Sequence, residues 1–305
     1  MVNFFRFLRM EQKLSLQALL GYRSALNKVF LLGGRDLTDC KVLSSVLQSF
    51  KQSISPSDHS VPEWDLLKVL QTLSSSPYEP LEKASLVALS MKTTFLLALA
   101  SAKRVSELNA LSHEVRNTEN WTAIFLSPVP DFVAKTQDPS KDDPRFGTFR
   151  IPALEKVKGK RPVLCPVRAV KRYLKVTKGV RKKCKKLLLN PTTPDKEVSK
   201  STLSFWLRKV ILEADAATGT GKVKAHGVRS LSTSLAFARN KSLHQVLKAG
   251  TWTAHNTFTN AYLREFSVKY LEKFSMELGP VVAAQEILQP PPSTSGESFS
   301  RGRRK

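Results

Sequence analysis

The apolar positions of this chain recur at helical spacing over most of its length. In LSLQALLGYRSALNKVFLL, Leu16, Leu19, Leu20, Tyr22, Leu26 and Val29 fall near a 3.6-residue period. This predicts a helix, which Gly33 and Gly34 end. DLTDCKVLSSVLQSFKQS and EWDLLKVLQTLSS repeat the pattern on either side of the loop SISPSDHSVP, so residues 11–76 read as short helices. ASLVALSMKTTFLLALASA (84–102) is apolar nearly all round, which predicts a buried central helix. KRVSELNALS adds another helical turn or two. Four more helices are expected over 201–217, 228–239, 242–250 and 257–266. A last one, over roughly 267–288, carries Tyr270, Leu271, Phe274 and Leu278 as one apolar stripe.

The period changes between 121 and 153. WTAIFLSPVPDFVAK mixes β-branched and aromatic residues with prolines, TQDPSKDDPR is rich in turn formers, and FGTFRIPAL alternates again. A small antiparallel sheet follows, with a hairpin around 135–148. SSSPYEPLEK (74–83) reads as a linker. The expected organisation is therefore a helical domain over 1–76, a linker over 77–83 and a second domain over 84–288. A Pro/Ser-rich, then basic tail over 289–305 is expected to be disordered. The fold class is mainly α, in the α+β sense of helices with one small antiparallel sheet. No internal repeat is visible.

Charge narrows the function. The 305 residues hold 49 Lys and Arg against 25 Asp and Glu, a net +24. Such an excess points to a polyanionic partner, nucleic acid before an anionic membrane. TTFLLALASA, the most apolar stretch, is too short to span a bilayer. MVNFFRFLRMEQKLS lacks the apolar core and cleavage site of a secretory signal. Cys40, Cys165 and Cys184 lie too far apart for a metal or redox spacing and read as reduced thiols of an intracellular protein. Between 156 and 186 the chain carries fourteen Lys or Arg and no acid. Lys156, Lys158, Lys160, Arg161, Arg168, Lys171, Arg172 and Lys175 from this run are expected on DNA phosphates, giving affinity and salt dependence rather than sequence choice. No His, Cys or acidic cluster has metal-ligand spacing, and Asp138, Asp142 and Asp143 are explained by turn chemistry. No metal and no cofactor are expected.

Five features of the second domain suggest one reaction: Arg104 in AKRVSEL, Lys135 in FVAK, the pair His226 and Arg229 in KAHGVRSLSTS, Trp252 in AGTW, and Tyr262 in NTFTNAYL. Each alone has an ordinary reading, as surface cation, helix-start pair or core aromatic. Together they have a chemistry. A tyrosine hydroxyl, with a pKa near 10, is a poor nucleophile at neutral pH. Positive charge around a bound phosphate favours the phenolate and stabilises a pentavalent transition state. Two arginines grip phosphate oxygens with planar forks. A histidine shuttles a proton, and a hairpin lysine reaches a leaving oxygen as general acid. A covalent phosphotyrosine conserves the energy of the cut strand, so rejoining needs no ATP.

The ordered series Arg, Lys, His-x-x-Arg, Trp, Tyr resembles the tyrosine recombinase (phage integrase) family. The wording FLLALASAKRVSELNAL, VPEWDLLKVL and AGTWTAHNTFTNAY looks closest to recombinases of eukaryotic DIRS-like and Crypton-like mobile elements. The resemblance spans roughly 11–270. It implies a core-binding first domain, a catalytic second domain, and a clamp closed around duplex DNA. Arg104 and Arg229 would be phosphate clamps, Tyr262 the nucleophile, His226 the proton carrier, and Lys135 (with Lys141 as the alternative) the donor to the leaving 5′ oxygen. Trp252 would stand where many members have a second histidine, packing and hydrogen-bonding through its ring nitrogen. Glu107 would orient the arginine and lysine. The resemblance also implies a homo-tetramer on two DNA sites and, for a eukaryotic element, a nuclear location, to which the terminal RGRRK adds a basic patch. Two rivals stand beside this reading: a catalytically silent DNA-binding protein derived from a mobile element, and a type IB topoisomerase-like enzyme.

Overall fold

The computed structural model describes residues 1–53, 64–135, 147–156, 158–160, 162–216, 223–239, 241–252, 255–266 and 271. The chain divides into two units, Met1–Asp58 and His59–Lys305.

The first unit is three helices: α1 (Val2–Met10), α2 (Leu16–Leu32) and α3 (Lys41–Gln52). Ser15 caps α2 by accepting the Ala18 N–H at 3.2 Å. Phe5, Leu8, Leu19, Leu43, Leu47 and Phe50 form the core, with Leu14, Leu16, Leu26, Cys40 and Val46 packed around it. The helical reading of 11–52 holds, and α1 is an addition to it. Phe5 and Leu8 lie one turn apart, a face too short to stand out against the exposed Phe4 and Phe7 beside it.

The second unit begins earlier than the Ser/Pro stretch suggests. Helix α4 (Leu66–Leu73) buries Leu66, Leu67, Val69, Leu70 and Leu73, and these belong to the same core as Trp64, Tyr78 and Leu81. The Asp65 N–H donates to the Ala216 carbonyl at 2.7 Å, and Lys68 Nζ to the Asp215 carbonyl at 3.1 Å. The 74–83 segment is packed and hydrogen-bonded rather than a bare linker. Tyr78 Oη donates to Glu213 at 2.5 Å, and the Glu79 carboxylate takes both Lys92 and Arg168.

Helix α5 (Leu86–Ser101) is the predicted central helix: fourteen consecutive residues, Ala88 to Ser101, are buried. Helix α6 (Val105–Asn109) follows a left-handed Ala102, φ 50°. The sheet is β1 (Arg116–Asn117), β2 (Ala123–Leu126) and β3 (Phe149–Pro152), antiparallel in that order, with Ile124 opposite Ile151 and Leu126 opposite Phe149. The alternating pattern was read correctly; the tip of its long β2–β3 connection lies outside the described residues. Helices α7 (Pro166–Thr177), α8 (Lys200–Glu213), α9 (Gly227–Ala238), α10 (Leu243–Ala249) and α11 (His255–Ala261) complete the unit. Helices α7, α8 and α9 each pack on the central α5. Among the described residues no helix is long and apolar enough to cross a membrane. Of the expected final stripe, Leu271 packs against the core of this unit, while Tyr270, Phe274, Leu278 and the 289–305 tail lie outside the described residues.

Helix α11 is shorter than its apolar pattern. It stops at Ala261, because the Ser234 hydroxyl of α9 competes for the backbone beyond it: Ser234 Oγ donates to the Tyr262 carbonyl at 3.0 Å and accepts the Arg264 N–H at 2.8 Å. That exchange sets where Tyr262 sits.

Candidate active site

Three short segments converge near the start of α9. The first is the α5–α6 turn. Arg104 stands at the N-cap of α6, and Glu107 reaches back to accept both its backbone N–H at 2.8 Å and its guanidinium at 2.6 Å. The second is the start of α9. His226 occupies its N-cap, and Arg229 lies one turn in, 3% exposed. Ser232 ties α9 to α5 by donating to the Leu99 carbonyl at 2.5 Å. Gly227 is required here: a Cβ at that position would meet Trp64 Nε1 at 2.9 Å. The third segment is the turn after α10 and the helix that follows. Thr251 adopts φ 52°, and its hydroxyl accepts from the Arg104 guanidinium at 3.1 Å.

These segments bring Arg104, Glu107, His226, Arg229, Trp252 and Tyr262 together. Tyr262 Oη lies 3.1 Å from His226 Nε2. With the ring neutral and its proton on Nδ1, Nε2 accepts from the phenol. The Arg229 guanidinium is 4.5 Å from the Trp252 ring and 5.5 Å from the Tyr262 ring, and the two rings are 4.5 Å apart. Arg229 donates to the Gly250 carbonyl, and its Nη1 lies 3.7 Å from Glu107. Among the described residues its Nε and Nη1 nevertheless have no hydrogen-bond partner, and neither does the buried Trp252 Nε1. Trp252 thus packs against Arg229 and Tyr262, and among the described residues its ring nitrogen has no hydrogen-bond partner.

Positive charge is concentrated in the site. Lys103, Arg104 and Arg229 lie around the buried carboxylate of Glu107. Burial is the main cause pulling Arg229 down to about 10; Arg104 adds to it and Glu107 opposes it. The guanidinium stays charged at neutral pH. His226 is pushed below its ordinary 6.5, first by desolvation where its ring meets Tyr262 and then by Arg229, Lys224, Arg104 and Arg264. It is therefore neutral at pH 7 and able to accept a proton.

Lys135 is exposed at the end of the described stretch before the hairpin tip, and Lys141 lies outside the described residues. The basic run is not one solvated face. Lys156, Lys158, Lys160, Lys171 and Lys175 are exposed, with the Lys171 ammonium 5.2 Å from the Trp121 ring centroid, and Arg161 lies outside the described residues. Arg168 instead pairs with Glu79 at 2.6 Å, and Arg172 donates to the carbonyls of Leu81 and Glu82. Those two guanidiniums hold the 76–84 segment against α7, where phosphate contact was expected. Sequence reasoning missed Lys103 and Thr251. Lys103 was visible beside Arg104, but neighbouring side chains ordinarily diverge; the left-handed Ala102 brings both to one recess.

The mostly helical architecture with its three-stranded antiparallel sheet is the tyrosine-recombinase catalytic fold. The XerH site-specific recombinase, in a post-cleavage complex with palindromic difH substrate, superposes with a TM-score of 0.58 at 16% identity, over 90% of this chain and 71% of that one. The Tn1549 transposon integrase, in complex with circular intermediate DNA, gives 0.55 at 15% identity, over 88% of this chain and 82% of that one. No protein-family model matches the sequence, and no curated protein matches it.

Proposed function

We propose that this chain is a site-specific DNA recombinase that cuts and rejoins strands through a 3′-phosphotyrosine. The observation that carries this reading is the buried Arg229 guanidinium. Among the described residues two of its N–H-bearing nitrogens have no hydrogen-bond partner, next to a tyrosine hydroxyl already in reach of a neutral histidine. A desolvated cation with spare donors is costly unless an anion completes it. A phosphodiester does so, and Arg104 supplies a second fork. Tyr262 Oη then attacks phosphorus, its proton passes to His226 Nε2, and the 5′ oxygen leaves with a proton from a lysine. A 5′ hydroxyl from another duplex reverses the step. The energy of the cut bond stays in the phosphotyrosine, so no nucleotide is consumed. The clustered positive charge stabilises the transition state.

Double-stranded DNA is the partner, as in the XerH and Tn1549 complexes, and the exposed lysines between 156 and 175 supply non-specific affinity. Strand exchange between two duplexes calls for a homo-tetramer. The motif wording supports an origin in DIRS-like or Crypton-like mobile elements and hence a nuclear location. The test is recovery of SDS-resistant protein–DNA adducts from cells expressing wild type or Tyr262→Phe. Adducts from wild type alone are expected, and sequencing their DNA identifies the cut site. No adduct from folded, DNA-binding wild type would favour the silent binder instead.

A further inference from the structure

The turn that ends α10 places a threonine where a glycine is usual. The Trp252 N–H donates to the Leu247 carbonyl at 3.0 Å and the Thr251 N–H to the Lys248 carbonyl at 3.1 Å. These are the paired bonds that close a helix through one left-handed residue, ordinarily glycine. A Cβ disfavours that conformation, and a β-branched side chain disfavours it most. In AGTW the glycine stands one position early, as Gly250 at φ −76°, and Thr251 takes the left-handed place at φ 52°. Such a conformation persists only where the surroundings hold it, and it concentrates at functional sites. What the threonine adds is a hydroxyl. Thr251 is buried, and its Oγ1 accepts from Arg104 Nη1 at 3.1 Å, across 147 residues of sequence.

We propose that Thr251 is a positioning residue of this site, fixing the plane of the Arg104 guanidinium for the scissile phosphate. The inference rests on the recombinase reading above and deepens it. Arg104 is the less enclosed of the two arginines, its side chain 18% exposed against 3% for Arg229. Its Nη1 carries two N–H bonds, and two acceptors meet that nitrogen: Glu107 at 2.6 Å and Thr251 at 3.1 Å. Glu107, three residues away on the same short helix, leaves the guanidinium free to rotate about one side-chain contact. The second acceptor comes from a different element and removes that freedom. Nε and Nη2 then form the edge of the fork that can meet two phosphate oxygens. The same turn holds the other arginine, because the Gly250 carbonyl accepts from Arg229 and the Trp252 ring lies 4.5 Å from its guanidinium. Three consecutive residues of one turn thus set both phosphate ligands relative to each other.

The test measures single-turnover adduct formation by the full chain on a duplex carrying the site sequenced from wild-type adducts, with urea denaturation of each variant alongside. Thr251→Val keeps the branched shape and removes the hydroxyl. Thr251→Gly removes the hydroxyl and relaxes the backbone. Thr251→Ser keeps the hydroxyl. At saturating DNA, Thr251→Val and Thr251→Gly are expected to react about 10- to 10²-fold more slowly, with the half-saturating DNA concentration unchanged. Thr251→Ser is expected to restore most of the rate. Thr251→Gly is expected to resist urea at least as well as wild type, because glycine suits the left-handed place. Slower reaction without lost stability is an outcome that a merely packed side chain does not produce. A wild-type rate from Thr251→Val or Thr251→Gly would overturn the proposal, and so would Thr251→Ser reacting as slowly as Thr251→Val. Slowing that appears only where stability falls, or only as weaker DNA affinity, would overturn it too. A wild type that forms no adduct overturns the recombinase reading itself, and this assignment with it.

Discussion

Tyr262 and His226 form a pair whose chemistry depends on the histidine being uncharged. His226 is held below 6.5 by lost hydration and by the cations around it, so it remains a base at pH values where a solvent histidine is half protonated. The rate of adduct formation should therefore show no decline as the pH falls from 8 to 6.5 and should drop only below that. His226→Gln should lower the rate by about 10²- to 10⁴-fold and remove the decline, measured by single-turnover cleavage across that range. The same group affects stability with a definite sign. Between 6.5 and its lower folded value, the unfolded chain binds a proton that the folded chain does not. Its cost is thus absent above 6.5 and grows as the pH falls through that window, and urea melts of wild type and His226→Gln should diverge there. Most of these residues were legible in the sequence, because tyrosine, histidine and arginine in a fixed order are rare and chemically complementary. Lys103 was not, because one lysine beside an arginine carries no signal until the backbone shows where both point.

The elements hold the site through close approaches that tolerate no added atom. Helix α10 ends at Gly250, and Trp252 folds back over it to pack on Arg229 and Tyr262. A Cβ at Gly250 would collide with the Trp252 ring. Gly250→Ala is expected to cost about 1–3 kcal/mol of stability, from overpacking, and to abolish adduct formation by moving Trp252 and the carbonyl that Arg229 holds. Chemical denaturation and the adduct assay report the two effects separately; wild-type cleavage with reduced stability would show that Trp252 does not position the arginine. Helix α7 makes a related point about charge. Its apolar side, Val167, Ala169, Val170 and Tyr173, is buried as its period predicts. Its Arg168 looked like a phosphate ligand within a run of cations, yet Glu79, 89 residues earlier, claims it together with the fully buried Lys92. Charge density along a sequence does not reveal which cations meet an acid from a distant segment.

Taken whole, the chain folds as two units, and their boundary has a consequence. Trp64, helix α4, Tyr78 and Leu81 belong to the core of the second unit, where the Ser/Pro composition of 74–83 suggested a break. A fragment starting at His59 should therefore melt cooperatively by circular dichroism. One starting at Ala84 should not, since it loses Trp64 from behind Gly227 and Leu66, Leu67, Val69, Leu70 and Leu73 from the core. A cooperative melt from the shorter fragment would restore the boundary at 77–83. By itself the sequence determined the helical class, the small sheet and the excess of positive charge, and it named six side chains that the structure brings together. Periodicity, composition and residue chemistry are local properties and survive in one dimension. Only the tertiary structure decided which cations face solvent, where the second unit begins, that α11 stops before Tyr262, and that Lys103 enters the recess. Each of these depends on a partner far away in the chain (Glu79 for Arg168, Ala216 for Asp65, Ser234 for Arg264) or on a single left-handed residue, and neither leaves a period in the sequence.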